Sequence, residues 1–144
     1  MTFQRLRKAV TMKKALRTLV AGAAVAGGIA GGVALASPAS AATPAGVCGS
    51  GYSQIDKHTM SGSTIYLLFN GSSNCVVTFK TTSVGKATRT GAYLQVSGKT
   101  PVEDTDDYTT YAGPVRQSAA GKCIVWGGGT SAGGFWYSGW SHCG

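Results

Sequence analysis

The chain has 144 residues, of which 22 are glycine and 12% are charged, and its formal net charge is +8. This length accommodates one domain of ordinary size, which excludes a large multidomain enzyme. Residues 1–47 contain no cysteine, histidine or acidic residue. The overall charge therefore has to be divided between that segment and the rest of the chain before it indicates a function.

The first segment has the three-part order of a secretory signal peptide. Six basic residues precede or border an apolar run from Leu19 to Ala36, and the small residues Ala39 and Ala41 follow at the two positions that a signal peptidase reads. We expect cleavage after Ala41. Residues 1–41 are then the signal peptide, and residues 42–144 are the secreted domain.

Two alternatives concern this segment. Cleavage after Ala42 is the next best position, and Met12, which precedes two lysines, is an alternative start. An uncleaved membrane anchor is the second alternative, because the apolar run approaches the roughly 18 residues that span a bilayer. The glycines of the run and the small-residue pattern favour cleavage, after which no membrane association is expected.

Removing the signal peptide changes the charge of the protein. Seven basic and five acidic residues remain, which leaves a net charge of +2. The remaining cations are scattered singly and form no basic stripe. The sequence therefore predicts no nucleic-acid partner.

The four cysteines Cys48, Cys75, Cys123 and Cys143 all lie in the secreted part. An even number of cysteines in an exported chain of this size indicates two disulfides, for which three connectivities are possible. We hypothesise that sequence neighbours pair, each bridge stabilising the domain by about 3 kcal/mol. No closely spaced cysteine pair is present, so the pattern does not indicate a structural metal site.

The secreted part reads as a succession of short strands. From Thr64, apolar residues alternate with polar ones up to Phe69, a turn follows over residues 70–74, and alternation resumes from Cys75 to Phe79, which predicts a β-hairpin. Further strands are expected at Ala92–Val96, Tyr108–Ala112, Val115–Ser118 and Cys123–Trp126. No sustained helical periodicity follows residue 42. The expected fold is all-β, a small antiparallel sandwich or barrel with two disulfides.

The sequence contains no strong pattern of catalytic residues. Only His58 and His142 are available as bases, and no nucleophile-elbow pattern accompanies them. Asp56 and His58 would share a face if they lay in a strand, but we interpret them as a solvated loop pair. His142 is expected to flank a disulfide. We predict no catalytic residues and no enzymatic activity.

Three further motifs have structural explanations. The acidic run Glu103–Asp107 resembles a calcium ligand set, but it lacks the glycine and glutamate of an EF-hand loop and is interpreted as a solvated loop. Residues 127–132 match a dinucleotide fingerprint, yet only 12 residues follow them, too few to complete that site. Asn70 begins a glycosylation acceptor, and Asn-Gly is also a hairpin-turn signal. No metal or cofactor is expected.

The strongest candidate for a ligand site is a cluster of aromatic residues between the last two cysteines: Trp126, Phe135, Trp136, Tyr137 and Trp140. Exposed indole faces on a rigid sheet stack on sugar rings. The alternative, which we favour, is that these rings mainly fill the core of a small domain. In that case truncation of Trp136 or Trp140 would lower stability.

The secreted part resembles the spore-associated protein A family of small exported actinobacterial proteins. The resemblance is carried by Cys48–Tyr52, by Ile65–Leu67 with Asn74–Thr78, by Tyr108–Val115, and by Gly121–Gly128 with the terminal His142–Gly144. It implies export and association with spores or aerial cell surfaces, and it implies no catalytic residues.

These observations favour a non-catalytic, secreted protein that associates with the spore or cell surface. A glycan- or cell-wall-binding module that uses Trp126, Trp136 and Trp140 is the first alternative. A secreted inhibitor or toxin that acts on a protein partner is the second. The expected partner is the spore or cell-envelope surface, including its polysaccharide.

Overall fold

A computed structural model describes residues 40–144; the signal-peptide prediction lies almost wholly outside these residues. The described part contains one short helix and eight strands. They are α1 (Pro44–Cys48), β1 (Ser53–Met60), β2 (Ser63–Phe69), β3 (Ser73–Lys80), β4 (Thr88–Val96), β5 (Val102–Tyr108), β6 (Tyr111–Ser118), β7 (Ile124–Thr130) and β8 (Gly134–Tyr137).

The strands form two antiparallel sheets of four strands each. The first sheet has the order β1-β2-β3-β6, and the second has the order β5-β4-β7-β8. A single core lies between them, with Ile65, Leu67 and Val76 from the first sheet packed with Leu94 and Ile124 from the second. The prediction of an all-β, antiparallel fold is confirmed, and its form is a sandwich.

The hairpin predicted from the alternation is formed by β2 and β3. Asn70 directs its turn, because its side-chain Oδ1 accepts hydrogen bonds from the amides of Ser72 (3.0 Å) and Ser73 (2.7 Å). The register places Leu67 opposite Val76 on the face toward the second sheet. The other apolar set of β3, which contains Cys75 and Val77, lies on the opposite face.

That opposite face of the first sheet has its own small core. Cys48 of α1, Leu68, Cys75 and Val77 are buried there. The Cys48–Cys75 disulfide joins α1 to β3, and the guanidinium of Arg116 donates to the carbonyls of Cys48 (2.8 Å) and Val47 (3.1 Å) at the end of the helix. The second disulfide joins Cys123 to Cys143, so the expected two bridges pair sequence neighbours.

The sequence-based interpretation of Asp56 and His58 as a loop pair is wrong. Asp56 and His58 belong to strand β1 and not to a loop. Strand β1 is an edge strand whose outward residues are exposed, so its sequence lacks the apolar alternation that identifies a half-buried strand.

The interpretation of the acidic run Glu103–Asp107 as a solvated loop is also wrong. Residues 103–107 lie within β5 and pair with β4, with Asp107 opposite Arg89. Aspartate has a low strand propensity, but pairing with a neighbouring strand overrides it at this sheet edge. The strand expected at Tyr108–Ala112 is in fact the end of β5, a turn at Thr109 and Thr110, and the start of β6.

The three glycines of β7 continue the strand that the sequence predicts to end at Trp126. Gly128 faces the sandwich interior, where an added Cβ would overlap the carbonyl oxygen of Gly91 and the hydroxyl of Thr78. The two sheets approach so closely here that no side chain fits.

We predict that Gly128→Ala destabilises the domain by about 1–3 kcal/mol or more, because backbone atoms of β4 would have to move. Gly139→Ala is the matched control, since a Cβ at that position meets no atom within 4 Å. Chemical denaturation of both variants measures the difference. Equal stability of the two variants would contradict the close approach at Gly128.

Candidate functional site

The five clustered aromatic residues are divided between the two faces of the second sheet. In the pairing of β7 with β8, Trp136 lies opposite Gly128, whereas Phe135 and Tyr137 lie opposite Gly129 and Gly127. Directly paired residues share a face of the sheet. Trp136 therefore faces the interior, and its two neighbours face outward.

The inward rings connect the two sheets. Trp136 stacks on His58 of β1 with the ring centroids 3.8 Å apart, and it meets Trp126 edge to face at 5.1 Å. Trp126 is only 2% exposed. It belongs to the core and has no free face on which a ligand ring could stack, so it is excluded from the candidate ligand set.

The outward rings lie against glycine backbone. A Cβ on Gly91 would be 2.8 Å from Cε1 of Phe135, and a Cβ on Gly127 would be 2.8 Å from Cδ1 of Tyr137. Phe135 is 40% exposed and Tyr137 is 51% exposed. The glycines therefore allow two large rings to rest on the sheet with part of each ring open to solvent.

A third ring, which the sequence analysis did not include, completes this surface. Tyr93 of β4 meets Tyr137 edge to face at 5.2 Å. We call Tyr93, Phe135 and Tyr137 the outer aromatic face. Tyr93 lies 41 residues or more from β8 in the chain, so only strand pairing brings the three rings together.

Polar groups border the outer aromatic face. The hydroxyl of Tyr93 donates to Oε1 of Gln95 at 3.0 Å, and Glu103 of β5 lies opposite Tyr93 in the sheet. Burial, followed by the charges of Tyr137 and Glu103, raises the pKa of Tyr93 above 10.0. Hydroxyl, amide and carboxylate groups are thus available beside the rings.

Trp140 lies in the segment that returns from β8 to the second disulfide. It is 54% exposed and belongs to neither core cluster. The segment is held by hydrogen bonds between the backbones of Ser141 and Ile124 (2.8 and 2.9 Å) and by the Cys123–Cys143 bridge.

The structure brings together a serine, a histidine and a carboxylate that the sequence analysis did not combine. Nε2 of His142 lies 3.4 Å from Oδ2 of Asp56, and Nδ1 of His142 lies 3.0 Å from Oγ of Ser141. The amide of Ser141 already donates to Ile124 in an extended bridge. In a nucleophile elbow, by contrast, the serine lies on a sharp turn beside backbone amides that bind the developing oxyanion.

The Asp56–His142 contact joins the C-terminal segment to β1. A cavity of about 250 Å³ lies beside it, lined in part by Ile55, Phe69 and His142. Asp56 and His58 do not contact a common partner. Asp56 contacts His142 in the C-terminal segment, and His58 stacks on Trp136 of β8.

Asp104 is the one residue of the acidic run with a clear structural role. Its carboxylate accepts hydrogen bonds from the hydroxyl of Tyr108 and from the amide of Gly113, the latter at 2.8 Å. Within the described part of the chain, no three His, Cys, Asp or Glu side chains gather closely enough to hold a metal ion. Across residues 40–144, no helix has the length and apolarity needed to cross a membrane.

The fold and its outer surface define a small two-disulfide β-sandwich domain with an exposed aromatic face. No family model and no solved structure matches the chain. Spore-associated protein A of Streptomyces coelicolor is 38% identical over 113 residues, which cover 71% of this chain and 73% of that protein. The chain belongs to the spore-associated protein A family.

The placement of the aromatic residues predicts that the two tryptophans of the Gly-rich segment differ in their contribution to stability. Trp136→Ala removes the stack on His58 and the contact with Trp126, and it should lower the free energy of unfolding by about 2–4 kcal/mol. Trp140→Ala should lower it by less than about 1 kcal/mol, because Trp140 is mostly exposed. Chemical denaturation compares the two variants, and equal losses would contradict the division between the faces.

The hydrogen bond between Tyr108 and Asp104 is expected to contribute to the free energy of unfolding in a pH-dependent way. The hydrogen bond to Asp104, assisted by burial, raises the pKa of Tyr108 from 10.0 to about 12. Because the folded-state pKa lies above the unfolded one, the contribution is complete below a pH of about 10 and is lost as the pH rises toward about 12.

We expect Tyr108→Phe to lower the free energy of unfolding by about 1 kcal/mol or less at neutral pH. The difference from wild type should shrink between a pH of about 10 and 12. Urea denaturation across this range measures it, with Tyr111→Phe as the control for loss of a phenol from the same turn. A difference that stays constant over the range would contradict the raised pKa.

Proposed function

We propose that this protein is exported, loses residues 1–41, and acts as a non-catalytic component of the spore or cell surface. The observation that carries the proposal is the 38% identity to a protein named spore-associated protein A. The basic, apolar and small-residue order before Ala42 supports export.

The disulfides support an extracellular location. Structural disulfides form and persist mainly in oxidising compartments, whereas the interior of most bacterial cells is reducing. A small domain also depends strongly on such bridges, since each contributes about 3 kcal/mol in the chain-entropy model, a large fraction of the stability of a domain of this size. A rigid, bridge-stabilised domain suits a protein that has to persist outside the cell.

The geometry of the Ser141–His142–Asp56 group supports a non-catalytic role. The amide of Ser141 is engaged in backbone pairing and is not directed at a reacting atom. The contacts of His142 join the C-terminal segment to the first sheet. These residues have a structural use that explains their proximity without a reaction.

Fractionation of a sporulating culture tests the proposal. The protein should be recovered from washed spores or cell surfaces as a chain that begins at Ala42 or Thr43, as measured by intact mass. A control chain that lacks residues 1–41 should stay inside the cell. Recovery of the intact chain from the cytosol alone, or of the processed chain from the medium with none on spores or cells, would contradict the proposal.

A further inference from the structure

We infer that the outer aromatic face is a polysaccharide-binding surface, on which Phe135 and Tyr137 stack against sugar rings of gluco configuration. The inference rests on the proposed function, because it names the surface through which the protein is held on a spore or cell wall. It replaces the tryptophan set that the sequence suggests with a different set of rings.

Exposure is the first argument. Of the five large hydrophobic side chains that are exposed in the described residues, three are Phe135, Tyr137 and Trp140, all within six consecutive positions. Aromatic side chains bury about 150–250 Å² each, so the 40% and 51% exposures of Phe135 and Tyr137 leave roughly 200 Å² of aromatic surface in water on the outer aromatic face. Exposed aromatic rings that lie side by side, rather than scattered singly, often have a function.

Rigidity is the second argument. Phe135 and Tyr137 rest on the backbone at Gly91 and Gly127, and Tyr93 packs edge to face against Tyr137. Phe135 and Tyr137 belong to the edge strand β8, but their rings lie against the central strands β4 and β7, which pair from Thr90 to Val96 of β4. A surface that is already ordered loses little conformational entropy when it binds a ligand.

The chemistry around the rings matches a sugar. A gluco-configured pyranose carries its hydroxyls around the rim and presents C–H groups on its faces. An aromatic ring covers such a face, and the hydroxyls of Tyr93 and Tyr137 with the Gln95 amide and the Glu103 carboxylate provide hydrogen-bonding groups for the rim.

The dimensions favour a polysaccharide over a protein partner. A stable protein interface needs about 800 Å² on each side, more than twice the exposed aromatic surface. Residues two apart on a strand are separated by about 6.6 Å, which allows Phe135 and Tyr137 to contact successive sugar units of one extended chain.

Retention of the secreted protein on insoluble polysaccharides tests the inference. We expect wild-type protein to bind cellulose or chitin, whose sugars have gluco configuration, and to bind mannan more weakly, because an axial hydroxyl roughens the sugar face. Phe135→Ala and Tyr137→Ala should each weaken binding by about fivefold or more, which corresponds to a stacking contribution of about 1 kcal/mol.

Two further variants separate stacking from other effects. Tyr137→Phe keeps the ring and should retain most of the binding. Val84→Ala removes an apolar side chain that is 59% exposed in the loop between β3 and β4, and it should bind as wild type does. Thermal unfolding of every variant verifies that each chain is folded in the assay.

Several results would overturn the inference. They are absence of wild-type binding to all three polysaccharides, unchanged binding by folded Phe135→Ala and Tyr137→Ala, and equal losses in Tyr137→Phe and Tyr137→Ala. Concentration-dependent dimerisation that Tyr137→Ala abolishes would instead identify the surface as a contact between two copies. If glycan binding fails while spore or cell fractions still contain the protein, the proposed function stands and this surface is not its attachment site.

Discussion

The absence of side chains along Gly127, Gly128 and Gly129 is the constraint on which the second sheet depends. On the inner side, Gly128 leaves room for the hydroxyl of Thr78 from the opposite sheet and for the carbonyl of Gly91. On the outer side, Gly127 and Gly129 leave the backbone open to the neighbouring residues of β8. Side chains at these three positions would push the two sheets apart and displace the rings of Phe135 and Tyr137, because a packed interior does not accommodate even a small added volume.

Contacts along one edge of the sandwich depend on the same strand. Trp136 faces inward because it pairs with Gly128, and its stack on His58 joins β8 to β1 across the gap between the sheets. The Asp56–His142 contact joins the C-terminal segment to the same strand, and the Cys123–Cys143 bridge ties that segment to the chain just before β7. Strand β1, whose outward face is exposed, is thus held from the second sheet as well as by β2.

One short segment of sequence supplies buried and exposed aromatic rings on opposite faces of the sheet. Trp136 contributes to the core, whereas its neighbours Phe135 and Tyr137 are exposed. Successive side chains of a β-strand point to opposite faces of the sheet, so β8 alone places one ring inside and two outside. The domain thereby exposes aromatic surface on one face of β8 while it retains an aromatic core, and its two disulfides compensate for its limited buried area.

Much of the fold was accessible from local patterns. Alternation identified the β2–β3 hairpin, and Asn70 and Gly71 identified its turn, because both signals depend only on neighbouring residues. The cysteine count indicated two bridges, because an even number of cysteines in a small chain with an export signal is typical of disulfides. The strands β1 and β5 were missed because they are sheet edges with polar sequences, and only pairing with a distant strand makes them extended.

The candidate site divides in the same way. Its composition is visible in the sequence as five aromatic residues among glycines, and that composition alone permits either a core or a surface. The register of β8 against β7 assigns Trp136 to the core and Phe135 and Tyr137 to the surface, and the pairing of β4 with β7 adds Tyr93 from a distant part of the chain. A shift of one residue in that register would exchange the faces, and register is set by hydrogen bonding and packing across the whole sheet.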